Sequence, residues 1–130
     1  MSAHIVIAGG TGFIGRRLAA QLAADGNRVS ILTRQSARTV DPVEFVHWSG
    51  SDSGETTALL DGADALINLC GETIAGPRWT DTRKALLTES RVTPTATLLQ
   101  ACAECSQPPA KFLSASGVGY YGTGDSERTE

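Results

Sequence analysis

A glycine-rich turn close to the N-terminus carries the clearest chemical signal in the sequence. Glycines occur at positions 9, 10, 12 and 15, directly after the apolar run His4–Ala8 and before a helical repeat that begins at Phe13. A strand, a glycine turn and a helix in this order present free N–H groups and the positive end of a helix dipole to a phosphate. A ligand-free turn is the alternative. We predict that a dinucleotide pyrophosphate contacts the turn, which consists of Gly9, Gly10, Thr11, Gly12, Phe13, Ile14 and Gly15.

The end of the second predicted strand indicates which dinucleotide is bound. Sites for NAD usually carry Asp or Glu there to bond the ribose 2′-hydroxyl, whereas this chain has Thr33 and Arg34. The planar, permanently charged guanidinium of Arg34 can bind a 2′-phosphate, and Thr33 can add a hydroxyl. We therefore predict NADP(H) rather than NAD as the cofactor. A solvated surface charge is the alternative for Arg34.

A third candidate segment, Leu69-Cys70-Gly71, follows the fourth predicted strand. Its backbone is expected to pass beside the cofactor, and the small residues Cys70 and Gly71 would permit this approach. A simple turn at the end of a strand is the alternative.

Five strands and three helices are predicted to hold these segments. The strands are expected at residues 4–8, 28–33, 43–47, 64–69 and 111–114, and the helices at 13–25, 56–60 and 80–105. Residues 35–42 are predicted to form a loop, and Pro94 is predicted to kink the last helix or to start its second segment. The alternation predicts an α/β fold, namely a Rossmann-type parallel sheet with helices on both faces. Its ligand crevice is expected at the carboxyl ends of the first and fourth strands.

Composition and charge exclude several classes of protein. The chain has 130 residues, which predicts one domain, and 41% apolar with 19% charged residues is ordinary for a globular protein. The net charge of −3 argues against a nucleic-acid partner, and no apolar run is long enough to span a membrane. Three cysteines, a sparse and odd number, favour a reducing, cytoplasmic location. His4 and His47 lie far apart without acidic partners at ligand spacing, so no metal site is predicted.

Further motifs follow the glycine turn in a characteristic order. They are Asn68–Glu72, Arg78-Trp79-Thr80, Ser90-Arg91-Val92 and the run from Ser114 to Gly122. With the glycine turn, they resemble the atypical extended short-chain dehydrogenases/reductases of the epimerase family over essentially the whole chain. Members usually carry Ala where this chain has Cys70. The resemblance implies that NADP(H) is contacted by Thr33, Arg34, Leu69, Cys70 and Arg91.

The resemblance also implies a function for the chain. It is expected to be the NADP(H)-binding portion of an oxidoreductase or a nucleotide-sugar-type epimerase that acts on a small molecule. A non-catalytic, NADP(H)-sensing regulatory protein is the alternative. Ser116 occupies the place of the upstream catalytic serine of short-chain dehydrogenases, with a purely structural role at the strand end as the alternative.

Neither Tyr120 nor Tyr121 starts the Tyr-x-x-x-Lys pattern of these enzymes, so both are expected to be aromatic residues of a pocket wall. Family members are considerably longer than this chain. Residues 1–130 are therefore expected to be an incomplete domain that stops after its fifth strand and lacks the substrate lobe. An exposed sheet edge of this kind is expected to promote self-association.

Overall fold

The computed structural model describes residues 2–117, 124 and 127. These residues contain a six-stranded sheet in the order β3-β4-β2-β1-β5-β6. The predicted α/β class and its Rossmann-type arrangement are confirmed. The strands are β1 (His4–Ala8), β2 (Arg28–Thr33), β3 (Arg38–Val40), β4 (Val43–His47), β5 (Ala65–Asn68) and β6 (Lys111–Ser114), and the helices are α1 (Phe13–Ala24), α2 (Gly54–Leu60) and α3 (Asp81–Glu104).

The strand β3 lies within the segment that was expected to be a loop. It pairs antiparallel with β4, whereas all other pairs in the sheet are parallel. Arg38 of β3 stands opposite Phe45 of β4, and its guanidinium carbon lies 4.2 Å from the centroid of the Phe45 ring. This cation–π contact stabilises the short edge strand. The predicted loop over residues 35–42 is therefore wrong at β3, and β6 is the sixth strand in chain order rather than the fifth.

Two apolar layers cover the two faces of the sheet. On one face, Ile7 and Ile31 pack against Ala19 of α1. On the other face, Leu66 packs with Leu60 of α2 and with the apolar side of α3, which includes Leu98 and Ala101. Both layers bury strands β1 and β2, which explains their nearly continuous apolar sequence. The core therefore fixes the carboxyl ends of β1 and β2 rigidly in place.

The helix α3 is one continuous element from Asp81 to Glu104, with Pro94 in its interior. Pro94 therefore does not start a second helical segment, which was one of the two predicted alternatives. Because proline has no N–H group, one helical hydrogen bond is missing at this turn. Hydroxyl groups of Thr95 and Thr97 donate to the carbonyls of Arg91 and Thr93 at 2.6 and 2.9 Å in the same part of the helix.

Two kinds of feature are absent from the part of the chain that the structure describes. No helix there combines the length and the apolar character that crossing a membrane requires. Among the same residues, no three His, Cys, Asp or Glu side chains are grouped so that they could hold a metal ion.

Candidate functional site

A cavity of about 460 Å³ opens at the carboxyl ends of the parallel strands. Its wall includes the residue that directly follows each of four strands: Gly9 after β1, Arg34 after β2, Trp48 after β4 and Leu69 after β5. The strand order reverses beside β1, which is where open α/β sheets bind their ligands. The predicted site residues that line the cavity are Gly9, Thr11, Gly12, Thr33, Arg34, Leu69, Cys70 and Gly71.

Two glycines of the turn are required by the packing of the protein itself. Gly9 has a φ of 77°, and a Cβ atom there would lie 2.7 Å from the carbonyl carbon of Leu69. A Cβ atom at Gly15 would lie only 2.5 Å from Cα of Gly10. These residues let the turn close tightly and let α1 approach β1. Gly10 and Gly15 lie behind the turn and are not part of the cavity wall.

Gly12 has a different environment from its neighbours in the turn. Its φ of −74° suits any residue, and the atom nearest to an added Cβ would be the Gly9 carbonyl oxygen, at 3.4 Å. Gly12 also lines the cavity. The packing of the protein therefore does not require glycine here, and Gly12 borders the cavity. A pyrophosphate would need open space beside Gly12 in order to approach the backbone.

The N-terminus of α1 reaches the same wall through its N-cap residue. Gly12 is its N-cap residue, the first turn holds no acidic residue, and no side chain of the described residues caps the helix. The Arg16 N–H group donates to the Gly12 carbonyl at 3.0 Å. The N–H groups of Phe13, Ile14 and Gly15 therefore precede the first backbone hydrogen bond of the helix. Phe13 and Ile14 are 90% and 66% exposed, and neither residue is part of the cavity wall.

Thr33 and Arg34 line the cavity at the end of β2. The hydroxyl of the buried Thr33 accepts a hydrogen bond from the Gln35 N–H group at 3.1 Å, which fixes the turn after the strand. The exposed Arg34 has no hydrogen-bond or ion-pair partner within the described residues, where the only ion pair joins Arg28 and Glu44. Its guanidinium is therefore available to a ligand.

The loop after β4 forms a part of the wall that the sequence analysis did not identify. Ser49, Gly50 and Ser51 line the cavity together with the buried Trp48. The Trp48 indole N–H donates to the Asp52 carbonyl at 3.1 Å, and the Ser49 N–H donates to the Glu55 carboxylate at 2.7 Å. Hydrogen bonds from the backbone and the side chain of Ser49 lower the pKa of Glu55, and the Glu55 carboxylate therefore stays charged at neutral pH. A Ser/Gly loop at the carboxyl end of a strand beside β2 was the signal that could have revealed this wall.

The segment after β5 is held by the buried side chain of Asn68. Its Oδ1 atom accepts a hydrogen bond from the Cys70 N–H group at 3.1 Å. Burial raises the pKa of the Cys70 thiol to about 11, although the nearby Arg34 guanidinium acts in the opposite direction. Cys70 is therefore protonated at neutral pH and contributes a small, apolar surface to the cavity rather than a nucleophile.

The helix α3 supplies the last part of the wall, with Glu89, Ser90 and Thr93 among its lining residues. Arg91, which was expected to contact the cofactor, is not part of the wall. Its guanidinium donates to the Leu87 carbonyl at 2.9 Å and to the Glu72 carbonyl at 3.0 Å. The structure therefore brings Arg91 to the loop after β5 and not into the cavity itself.

The sequence pattern of the NAD dependent epimerase/dehydratase family matches residues 5–130, a range that contains the whole cavity wall. The chain belongs to this family. An epimerase family protein of Mycobacterium leprae is 43% identical over 122 residues, which are 92% of this chain and 38% of that protein. The chain therefore spans about 38% of the length of the curated relatives that it matches.

Two solved structures of similar proteins extend this relation to the fold. The human epimerase family protein SDR39U1 (isoform 2), solved with NADPH, has a TM-score of 0.76 at 31% identity, and the match covers 91% of this chain and 38% of that one. A nucleoside-diphosphate sugar epimerase of Corynebacterium glutamicum has a TM-score of 0.70 at 34% identity and covers 94% and 24% of the two chains. The chain thus has the NAD(P)-binding fold of the epimerase family.

Ser116, the candidate catalytic residue, lies beyond β6. Its side chain is exposed and is not part of the cavity wall. Tyr120 and Tyr121, which were expected to be pocket-wall residues, lie outside the described residues. A catalytic role for Ser116 in this family member therefore stays a prediction.

Proposed function

We propose that this chain binds NADP(H) and is the cofactor-binding part of an oxidoreductase or nucleotide-sugar-type epimerase. The observation that carries the proposal is the Arg34 guanidinium, which lines the cavity at the end of β2 and has no partner among the described residues. In an NAD site, a carboxylate at this point would accept from the ribose 2′-hydroxyl. A guanidinium there favours the 2′-phosphate, which distinguishes NADP from NAD.

The other walls of the cavity fit the remaining parts of the dinucleotide. The N-terminus of α1 and the open space at Gly12 suit the pyrophosphate, because N–H groups and a helix dipole stabilise negative charge. The small residues Cys70 and Gly71 let a flat ring approach the backbone after β5. The human relative that was solved with NADPH supports the same assignment.

The cofactor limits the chemistry that the whole protein performs. When bound, a nicotinamide cofactor supplies hydride transfer. The residues of this chain would hold the dinucleotide and orient it, and Ser116 would hydrogen-bond a reacting oxygen of a small-molecule substrate. Because the chain spans about 38% of its curated relatives, the reaction of the whole protein remains a proposal that rests on the cofactor site.

A comparison of NADPH and NADH affinities tests the proposal. Calorimetric titration of the purified chain is expected to show a roughly 10- to 100-fold preference for NADPH, which corresponds to about 1.5–3 kcal/mol for a charged bidentate contact. Arg34→Ala should remove this preference by weakening NADPH binding alone. Arg28→Ala is the matched control, because Arg28 lies at the opposite end of the same strand. Equal affinities in the unaltered chain, or an undiminished preference in Arg34→Ala, would contradict the proposal.

A further inference from the structure

The backbone of Glu72 is held by two neighbouring residues of α3. Its N–H group donates to the Ser90 hydroxyl at 3.0 Å, and its carbonyl accepts from the Arg91 guanidinium at 3.0 Å. Glu72 follows Leu69-Cys70-Gly71 directly, and all four residues line the cavity. Both polar backbone groups of one wall residue are therefore satisfied by a single helix.

A second arginine of α3 extends the same arrangement along the loop. Arg83 donates to the Thr73 carbonyl at 2.6 Å, so that Arg83 and Arg91 bind consecutive carbonyls of the loop. The two arginines lie about two turns apart on the helix, and such a separation places them on one face. The loop after β5 is thus attached to α3 at several points, of which Ser90 lies in the cavity wall and Arg91 directly beside it in the sequence.

The position of Gly71 shows how closely Arg91 packs behind the cavity wall. A Cβ atom added to Gly71 would lie 2.9 Å from the guanidinium carbon of Arg91. Gly71 lines the cavity, whereas Arg91 does not. The guanidinium therefore lies against the back of the wall, and two of its five N–H groups bind the carbonyls of Leu87 and Glu72.

We propose that Ser90 and Arg91 are positioning residues that hold the segment Leu69–Glu72 in place, and that Arg91 acts on the cofactor only through this segment. The proposal rests on the proposed function, because it assigns the segment to the cofactor wall. The bonds to the carbonyls of Leu87 and Glu72 hold the guanidinium behind Gly71 and outside the cavity wall, which favours action through the segment over a direct contact with a cofactor phosphate.

Hydrogen exchange in the cofactor-free chain directly tests whether Ser90 and Arg91 hold the segment Leu69–Glu72. In Ser90→Ala and in Arg91→Met, exchange of the Glu72 amide, followed by NMR, is expected to become about 3- to 10-fold faster, because each variant removes one anchoring hydrogen bond. Thr88→Ala and Lys84→Met are the matched controls, since both residues are exposed positions of α3. Unchanged exchange of the Glu72 amide in Ser90→Ala and Arg91→Met would overturn the proposal.

Cofactor affinity then separates positioning from direct contact. Ser90→Ala and Arg91→Met should each weaken NADPH binding by about 3- to 10-fold. Arg91→Lys should be as weak as Arg91→Met, because one ammonium cannot replace a planar group that reaches two carbonyls. Two results together would instead indicate a phosphate contact and overturn the proposal. They are an NADPH affinity of Arg91→Lys equal to that of the unaltered chain, and an NADPH affinity of Arg91→Met that falls less steeply with salt than that of the unaltered chain. If the unaltered chain does not bind NADPH, the proposed function fails. The exchange measurement still shows whether Ser90 and Arg91 hold the segment in place.

Discussion

The side-chain amide of Asn68 donates a hydrogen bond to the Ser114 hydroxyl at 3.2 Å and so joins the last residues of the neighbouring strands β5 and β6. The same amide donates to the Thr95 hydroxyl of α3 at 2.9 Å. Its oxygen accepts from the Cys70 N–H group. One side chain, only 3% exposed, therefore connects the cavity wall, a helix and the strand that leads to Ser116.

Replacement of Asn68 is expected to destabilise the fold as well as the site. Asn68→Ala leaves the part-buried Cys70 N–H group without its acceptor, and a buried polar group without a partner costs about 1–3 kcal/mol. We expect a loss of about 2–3 kcal/mol in the free energy of unfolding, measured by urea denaturation, and weaker NADPH binding. Ser114→Ala removes only one bond and should cost less than about 1.5 kcal/mol. An Asn68→Ala variant as stable as the unaltered chain would disprove this role.

Gly12 and Gly15 are expected to respond differently to the same kind of substitution. Gly12→Val should abolish NADPH binding and retain the fold, because its side chain would project into the cavity rather than into protein atoms. Gly15→Ala should instead destabilise the fold by about 1–3 kcal/mol, since its Cβ overlaps the Gly10 backbone. Circular dichroism, urea denaturation and calorimetry distinguish the two effects. Unchanged NADPH affinity in a folded Gly12→Val variant would show that no pyrophosphate lies there.

The sequence predicts the start of the fold well, because its signals there are local. The run His4–Ala8, the glycine turn and the helical repeat from Phe13 specify one β-α unit without distant contacts. The strand β3 cannot be predicted from local signals, because its three residues become a strand only by pairing with β4.

The same distinction applies to the candidate site. Arg34 was predictable, because the end of β2 is fixed by the adjacent apolar pattern and the charge at that point is explicit in the sequence. Arg91 was expected to contact the cofactor, yet the register of α3 directs its guanidinium to the Glu72 carbonyl. The contacts of Asn68 with Thr95 and Ser114 depend on residues far away in the sequence. A single sequence contains no local signal for either arrangement.

The thiol of Cys70 is expected to resist alkylation. Its pKa of about 11 leaves about one molecule in a thousand as the reactive thiolate at pH 8. Burial raises the pKa of Cys102 and Cys105 less than that of Cys70, and iodoacetamide should therefore modify them before Cys70. Peptide mass spectrometry after timed quenching would measure the three rates, with a urea-unfolded sample, in which all three should react alike, as the control. Preferential modification of Cys70 in the folded chain would contradict its burial.

The half-buried imidazole of His4 predicts a loss of stability in mild acid. Burial, and then the charge of Arg28, lower the pKa of His4, whereas Glu44 and Asp64 act in the opposite direction. The Ser30 hydroxyl donates to Glu44, so the His4 Nε2 atom, 3.0 Å from Ser30 Oγ, carries a proton and donates to it. The folded state therefore favours the neutral ring.

Because the folded-state pKa of His4 lies below the unfolded value of about 6.5, the unfolded chain binds the proton more readily. The contribution of His4 to stability is fully present above the unfolded pKa and is lost as pH falls through the folded pKa. Urea midpoints at pH 7.5 and pH 5.5 should differ more for the unaltered chain than for His4→Gln, which can still donate to Ser30. Equal pH dependence in the two proteins would refute the assignment.

The outer edge of β6 is expected to make the purified chain self-associate. Among the described residues, β6 pairs with β5 on one side only, and Leu113 is 52% exposed. An unpaired edge with an exposed apolar side chain is a template for pairing with another chain. Light scattering should detect concentration-dependent association that Leu113→Lys reduces, because charge on an edge strand opposes such pairing.

Val40→Lys provides the matched control, since Val40 is 56% exposed on β3 at the opposite edge of the sheet. A monomer at all concentrations, or dissociation by Val40→Lys alone, would contradict an interface at β6.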